Sequence, residues 1–197
     1  MCYAEAMGAR SALLMGLGIV AAGVLSCGGG GCAGRKTTQK MIQEGSTFTS
    51  METGIAVTIP AGWKEAAHRQ PPEDEKEYIL VVENDAGGRI SLDVPPMPAF
   101  ALIIPMGRVV SGYQDDLRER FGDVKTEENA ERKVPDATAR LVRSTWSKDG
   151  KSYSQTALLM VHNRRVYILR GDNDAASDKQ TAEAFEAVAG SIRWIGK

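Results

Sequence analysis

An apolar run from Ala12 to Leu25, stopping at Ser26-Cys27-Gly28, divides this chain before any fold is considered. Arg10 precedes the run and the small Ser26 follows it, the basic, apolar and small-residue parts of a secretory signal. As a helix, residues 12–25 would span about 21 Å at about 1.5 Å per residue, short of the roughly 30 Å hydrocarbon core of a bilayer. Gly16, Gly18 and Gly23 weaken it further as a permanent span. A cleaved signal over residues 1–26 is therefore expected. Translation starts at Met1 or at Met7, the second choice leaving Arg10 near the terminus and dropping Glu5.

The string Val24-Leu25-Ser26-Cys27-Gly28 resembles a bacterial lipoprotein signal, in which the cysteine becomes the first mature residue and carries fatty acids such as palmitate. Each buried methylene contributes about 0.8 kcal/mol, and two or more chains give stable attachment to a membrane. Cys27 is thus the expected lipidation site, with residues 27–47, rich in glycine at 28–31, as a flexible tether. Gly28 stands where an aspartate retains such proteins at the inner membrane of some bacteria, so the expected location is the cell envelope, on the periplasmic side of the outer membrane. All three cysteines (Cys2, Cys27 and Cys32) precede the globular part. Cys2 leaves with the signal and Cys27 is acylated, so Cys32 stays as a lone tether thiol and no intramolecular disulfide forms. The domain expected at 48–197 must be held by its core, and it is long enough to need neither metal nor disulfide. A formal net charge of −1 argues against a nucleic-acid partner bound by phosphate neutralisation.

From Phe48 onward the periodicities change. Ile55, Val57 and Ile59 alternate within Gly54–Pro60 and predict a strand with one buried face. Pro60-Ala61-Gly62-Trp63 turns the chain, and the polar stretch 64–77, with Pro71-Pro72, reads as a loop with at most one helical turn. Tyr78–Val82 is a continuous apolar run, expected of a strand covered on both faces. After a turn at 84–88, Ile90, Leu92 and Val94 alternate with Arg89, Ser91 and Asp93, a strand with one polar face. Over Met106–Phe121 the residues Val109, Tyr113, Leu117 and Phe121 recur at helical spacing, and Gly122 closes the helix. Strands are expected at about 124–133, 137–147, 151–162 and 165–170. Asp149-Gly150 is the strongest hairpin signal and Asn163-Arg164 a weaker one. Ser177 and Gln180 have capping-box spacing before a last helix that buries Ala182, Phe185 and Val188 or Ala189 and stops at Gly190. Ile192 and Trp194 then run out extended. Strands, helix, hairpins and helix in this order give the α+β class, an antiparallel sheet flanked by helices.

The phrase Gly54-Ile55-Ala56-Val57-Thr58-Ile59-Pro60-Ala61-Gly62-Trp63 resembles the opening of PsbP-like and DcrB-like domains: a strand, then Pro, then Gly-Trp. The amphipathic helix, the hairpins and the final helix running into Ser191-Ile192-Arg193-Trp194 fit the same family over about 48–197. The resemblance implies a three-layer α/β/α sandwich, the fold of the Mog-type Ran-binding proteins. It implies a binding or assembly role without catalysis. PsbP proteins of photosystem II are tied to calcium and manganese; no ligand set in this chain carries that over, so neither metal nor cofactor is expected.

Motifs that imitate chemistry fail on spacing. Gly29 and Gly34 are spaced as in a phosphate-binding loop, but Arg35 pushes Lys36 out by one and no strand precedes it. Gly16-Leu17-Gly18 with Ala21 mimics a dinucleotide fingerprint inside the signal. Asp172-Asn173-Asp174 with Glu183 imitates a calcium loop but puts Ala176 and Ser177 where an oxygen donor and a glycine are needed, so a capped, solvated turn is expected. The two histidines, His68 and His162, are too few for a usual zinc site. A hydrolase would need one of them within reach of both a serine and a carboxylate. The segment Val94–Gly107 carries no charge between Asp93 and Arg108 and holds Pro95, Pro96, Met97, Pro98, Phe100, Leu102 and Ile103. It either covers the core or forms an apolar contact loop through Met97, Phe100, Leu102 and Ile103. The expected function is a lipid-anchored, noncatalytic envelope binding or scaffold protein with a protein partner. The alternative is a carrier of a small or apolar ligand walled by 94–106 and the sheet.

Overall fold

The computed structural model describes residues 45–66, 78–96, 105–174 and 178–196, all within the compact unit Gln39–Lys197. The long C-terminal hairpins set the frame. β6 (Val124–Glu131), β7 (Thr138–Lys148), β8 (Lys151–His162) and β9 (Arg165–Asp174) run antiparallel in sequence order. Asp149 and Gly150 join β7 to β8 with φ of 52° and 73°, both left-handed as a two-residue type I′ turn requires. Asn163 and Arg164 turn β8 into β9 with φ of 45° and 61° and no glycine at all. β5 (Arg89–Asp93), β4 (Tyr78–Glu83) and the short β3 (Lys64–Glu65) extend the sheet from β9, giving seven strands in the order β3-β4-β5-β9-β8-β7-β6.

A second sheet of three strands has the order β1-β2-β10, from Thr47–Ser50, Ile55–Thr58 and Arg193–Trp194. The terminal extended segment is therefore a strand, paired through Arg193 with Ala56 and Trp194 with Ile55. β1 and β3 have no apolar alternation to announce them; they exist because β2 and β4 offer pairing partners.

The helices α1 (Met106–Phe121) and α2 (Asp178–Gly190) pack on opposite faces of the large sheet. Leu158 and Met160 of β8 and Tyr167 and Leu169 of β9 point into the core with Phe185 and Val188 of α2. The intervening Ala157, Leu159, Val166 and Ile168 meet Val110, Tyr113 and Leu117 of α1. Such a sheet, apolar on both faces, requires a layer on each side. β2 adds Ile55, Val57 and Ile59 to the α2 side, with Trp63. The chain is thus an α+β fold with antiparallel sheets and two helices.

Four local expectations are corrected. Ala182 is exposed, and Thr181, Ala184, Phe185 and Val188 form the inner face of α2. β4 is buried at Leu80 and Val82 only, with Tyr78, Ile79 and Val81 half-buried around a register shift. Ser91 and Asp93 are buried, so β5 has no solvent face. β9 continues to Asp174 instead of ending at Arg170, because Asp172, Asn173 and Asp174 pair with Gln155, Ser154 and Tyr153.

Candidate functional site

α1 covers β7, β8 and part of β9 but leaves the β4–β5–β9 corner of its face to polar side chains. There Tyr78 stands opposite Asp93 on neighbouring strands, and Ser91 stands opposite Arg170. Tyr78, Asp93 and Arg170, with Arg108, Gly112 and Asp116 of α1, line a cleft of about 290 Å³. Arg170 and Asp93 are 8% and 4% exposed, so a cation and an anion share a site almost free of water. They are not tightly joined: Arg170 Nη2 lies 3.6 Å from Asp93 Oδ2, beyond a good hydrogen bond. The Tyr78 ring carries the guanidinium groups of Arg89 and Arg170 at 5.5 and 5.6 Å from its centroid, a cation–π arrangement. Arg170 Nη1 is buried and makes no hydrogen bond among the described residues.

Beside the cleft runs a polar chain. The Tyr113 hydroxyl donates to Gln155 Oε1, and Gln155 Nε2 donates to Asp172 Oδ1. Burial holds the Tyr113 phenol well above its ordinary value, with the charges of Asp172 and Asp116 adding and Arg170 opposing. Tyr113 is therefore a neutral donor across the physiological range. Burial alone would lower Arg120, but Asp116, whose Oδ2 is 3.3 Å from Arg120 Nε, and Tyr78 outweigh it and raise the guanidinium. A second groove of about 370 Å³ shares Tyr78, Asp116, Arg120 and Arg170 with the cleft and continues past Gln155 and Asp172.

The expected lipidation site Cys27 and the expected contact residues Met97, Phe100, Leu102 and Ile103 lie outside the described residues, as does His68. Their flanks are placed: Val94 packs on the α2-side core and Met106 on the α1 side. His162 is far in character from a catalytic base. Its Nδ1 is 2.6 Å from the Asp136 carbonyl oxygen, its Nε2 is 2.9 Å from Asn163 Nδ2, and its ring stacks on Trp194 at 4.0 Å. Asp172 and Asn173 belong to strand β9 and bond to Gln155 and Ser154, so the first positions of the imitation calcium loop are strand residues, not a solvated turn. No helix among the described residues is long and apolar enough to cross a membrane.

The cleft residues escaped the sequence reading because they come from three separated strands. One signal was present: Arg170 follows Val166-Tyr167-Ile168-Leu169, a charge at the end of an apolar strand run.

No protein-family model and no curated protein sequence matches the chain. Solved structures do. Cyanobacterial PsbP (CyanoP) from Synechocystis superposes with a TM-score of 0.59 at 12% identity, covering 84% of this chain and 98% of its own. LpqN, described as involved in cell envelope biogenesis of Mycobacterium tuberculosis, has a TM-score of 0.52 at 12% identity, covering 77% of this chain and 90% of its own. The Saccharomyces cerevisiae Ran-binding protein Mog1p has a TM-score of 0.50 at 10% identity, covering 76% of this chain and 95% of its own. At such identities the likeness is one of fold: the chain shares the α+β architecture of the PsbP and Mog1p structures.

Proposed function

We propose that this chain is a lipid-anchored cell-envelope binding protein without catalytic activity, and that its domain binds in the cleft under α1. The observation that carries the reading is the dry, charged floor of that cleft, Arg170 with Asp93 under the Tyr78 ring. Such a site has the size and mixed lining of a small-molecule pocket, while His162 is spent on Asp136, Asn163 and Trp194. The Leu25-Ser26-Cys27 string supports the anchor, and the envelope role in the LpqN description and the binding role in the Mog1p description support the wider class. In this reading Met97, Phe100, Leu102 and Ile103 meet an envelope protein partner.

The test has two parts. Mass spectrometry of the native product should find the chain beginning at an acylated Cys27, and Cys27→Ala should leave it unprocessed or soluble. Native mass spectrometry of envelope-extracted protein should find a bound small molecule that a cleft-filling variant loses. A bare Cys27 sinks the anchor, and an empty cleft sinks the binding site. Phe100→Ser with Ile103→Ser should leave folding intact and remove the protein partner; lost stability would make that segment core cover.

A further inference from the structure

We infer that the cleft under α1 seats a singly charged amphiphilic anion, a carboxylate or phosphodiester on a short apolar body, with its oxygens toward the Arg170 guanidinium. The inference rests on the binding reading above and adds the chemistry of the ligand. A buried guanidinium N–H left without an acceptor is expensive, more so than the buried hydroxyls of Ser91, Ser144 and Thr181 that share this condition, and it calls for a reason. Asp93 does not supply it, since its near oxygen faces the other terminal nitrogen at 3.6 Å. Arg170 lines the cleft, and its unmet, buried donor calls for an acceptor that the described residues do not provide.

Charge sets the ligand's sign. Arg108, Arg120 and Arg170 line the cleft against Asp93 and Asp116, so three cations face two anions and leave one positive charge. One anionic group balances it. A cation would meet three guanidinium groups, and a neutral head would accept from them only weakly. The remaining lining sets the ligand's body. Pro95, Val109, Val166 and Ile168 offer carbon to it, and Gly112 withholds a side chain where nothing lies within 4 Å of an added Cβ. The cleft's 290 Å³ is at the small end of ligand pockets, which suits a short apolar body. The neighbouring groove, sharing Arg120 and Arg170, gives a polar extension of the ligand a way out.

The probes are octanoate, octanol, acetate and diheptanoylphosphatidylglycerol, titrated against the full processed chain in phosphatidylcholine nanodiscs with empty nanodiscs as reference. Octanoate should bind at least tenfold more tightly than octanol or acetate. The tighter of octanoate and the phosphatidylglycerol assigns the source, free fatty acid or lipid headgroup. Gly112→Leu should abolish binding while the protein stays folded. Gly107→Leu, equally open but outside the cleft lining, should leave binding unchanged. The paired change Asp93→Asn with Arg170→Gln should weaken octanoate at least tenfold and leave octanol as it was. If that pair fails to fold, Gly112→Leu decides alone. Equal binding of octanol and octanoate, binding that survives Gly112→Leu, or no binding by any probe overturns the inference. A different molecule in the native cleft would then leave the binding reading standing, whereas an empty native cleft removes both.

Discussion

On the α2 face of the large sheet, Leu80, Val82, Ile90, Leu92, Met160 and Leu169 close against Phe185 and Val188 with no charged residue among them. On the α1 face the same strands present Asp93, Gln155, Arg170 and Asp172 beside a smaller apolar cluster. One face maximises the area removed from water. The other buries charges whose desolvation is only partly offset. Strand alternation makes the two independent: a residue shift of one places a side chain in the other chemistry. A domain of this kind secures its fold on one side and keeps specific polar groups on the other.

The comparison can be broken most directly at its anchors. Phe185→Ala on the closed face should cost about 3–5 kcal/mol in urea unfolding; a value under about 1 kcal/mol would show that α2 is not the main lid. Arg170→Met should cost about 3–5 kcal/mol, since it removes one buried charge from beside the buried Asp93. Asp93→Asn with Arg170→Gln should cost much less, and equal losses would show that the charges do not act as a pair. Tyr113→Phe should cost about 1–3 kcal/mol by leaving Gln155 Oε1 without its donor.

Tyr113 also sharpens the contrast through pH. Its folded value lies above the ordinary 10.0, so above that pH the unfolded chain releases a proton that the folded chain keeps. Stability is then intact below about pH 10 and falls as pH rises beyond it. Tyr113→Phe should make that fall shallower in denaturant midpoints, and an unchanged slope would contradict the burial of the phenol. The smallest effects should differ in sign. Gly171→Ala would put a Cβ 3.2 Å from Phe185 Cδ2 and should lose about 1–2 kcal/mol. Gly112→Ala meets nothing within 4 Å and should gain about 1 kcal/mol of helix propensity. Thermal unfolding of the two variants decides it.

The closed face was the legible one. Ile55, Val57 and Ile59, the α1 bounds and the Asp149-Gly150 turn follow from periodicity and turn chemistry, which are local. The polar face was not, because a pattern reading sends every Asp, Arg and Ser to solvent. Ser91 and Asp93 looked like the wet side of β5, and Asp172-Asn173-Asp174 looked like a turn; both are covered or paired through residues far away in sequence. Ala182 and Ala184 are chemically identical, so only the docking of α2 chooses between them. Tyr78, Asp93 and Arg170 converge through the β4-β5-β9 order, which no local spacing encodes.

The strand β10 has a consequence for how the chain is made. It zips onto β2 through Arg193 and Trp194, while Trp194 Nε1 donates to the Pro135 carbonyl at 2.6 Å. A polypeptide emerges from a ribosome or a translocation channel amino end first, so Ile55 and Ala56 must wait for Arg193 and Trp194 before their second neighbouring strand arrives. The small sheet is a clasp that shuts only after every intervening element has been delivered, and deleting Arg193 and Trp194 should leave it ajar.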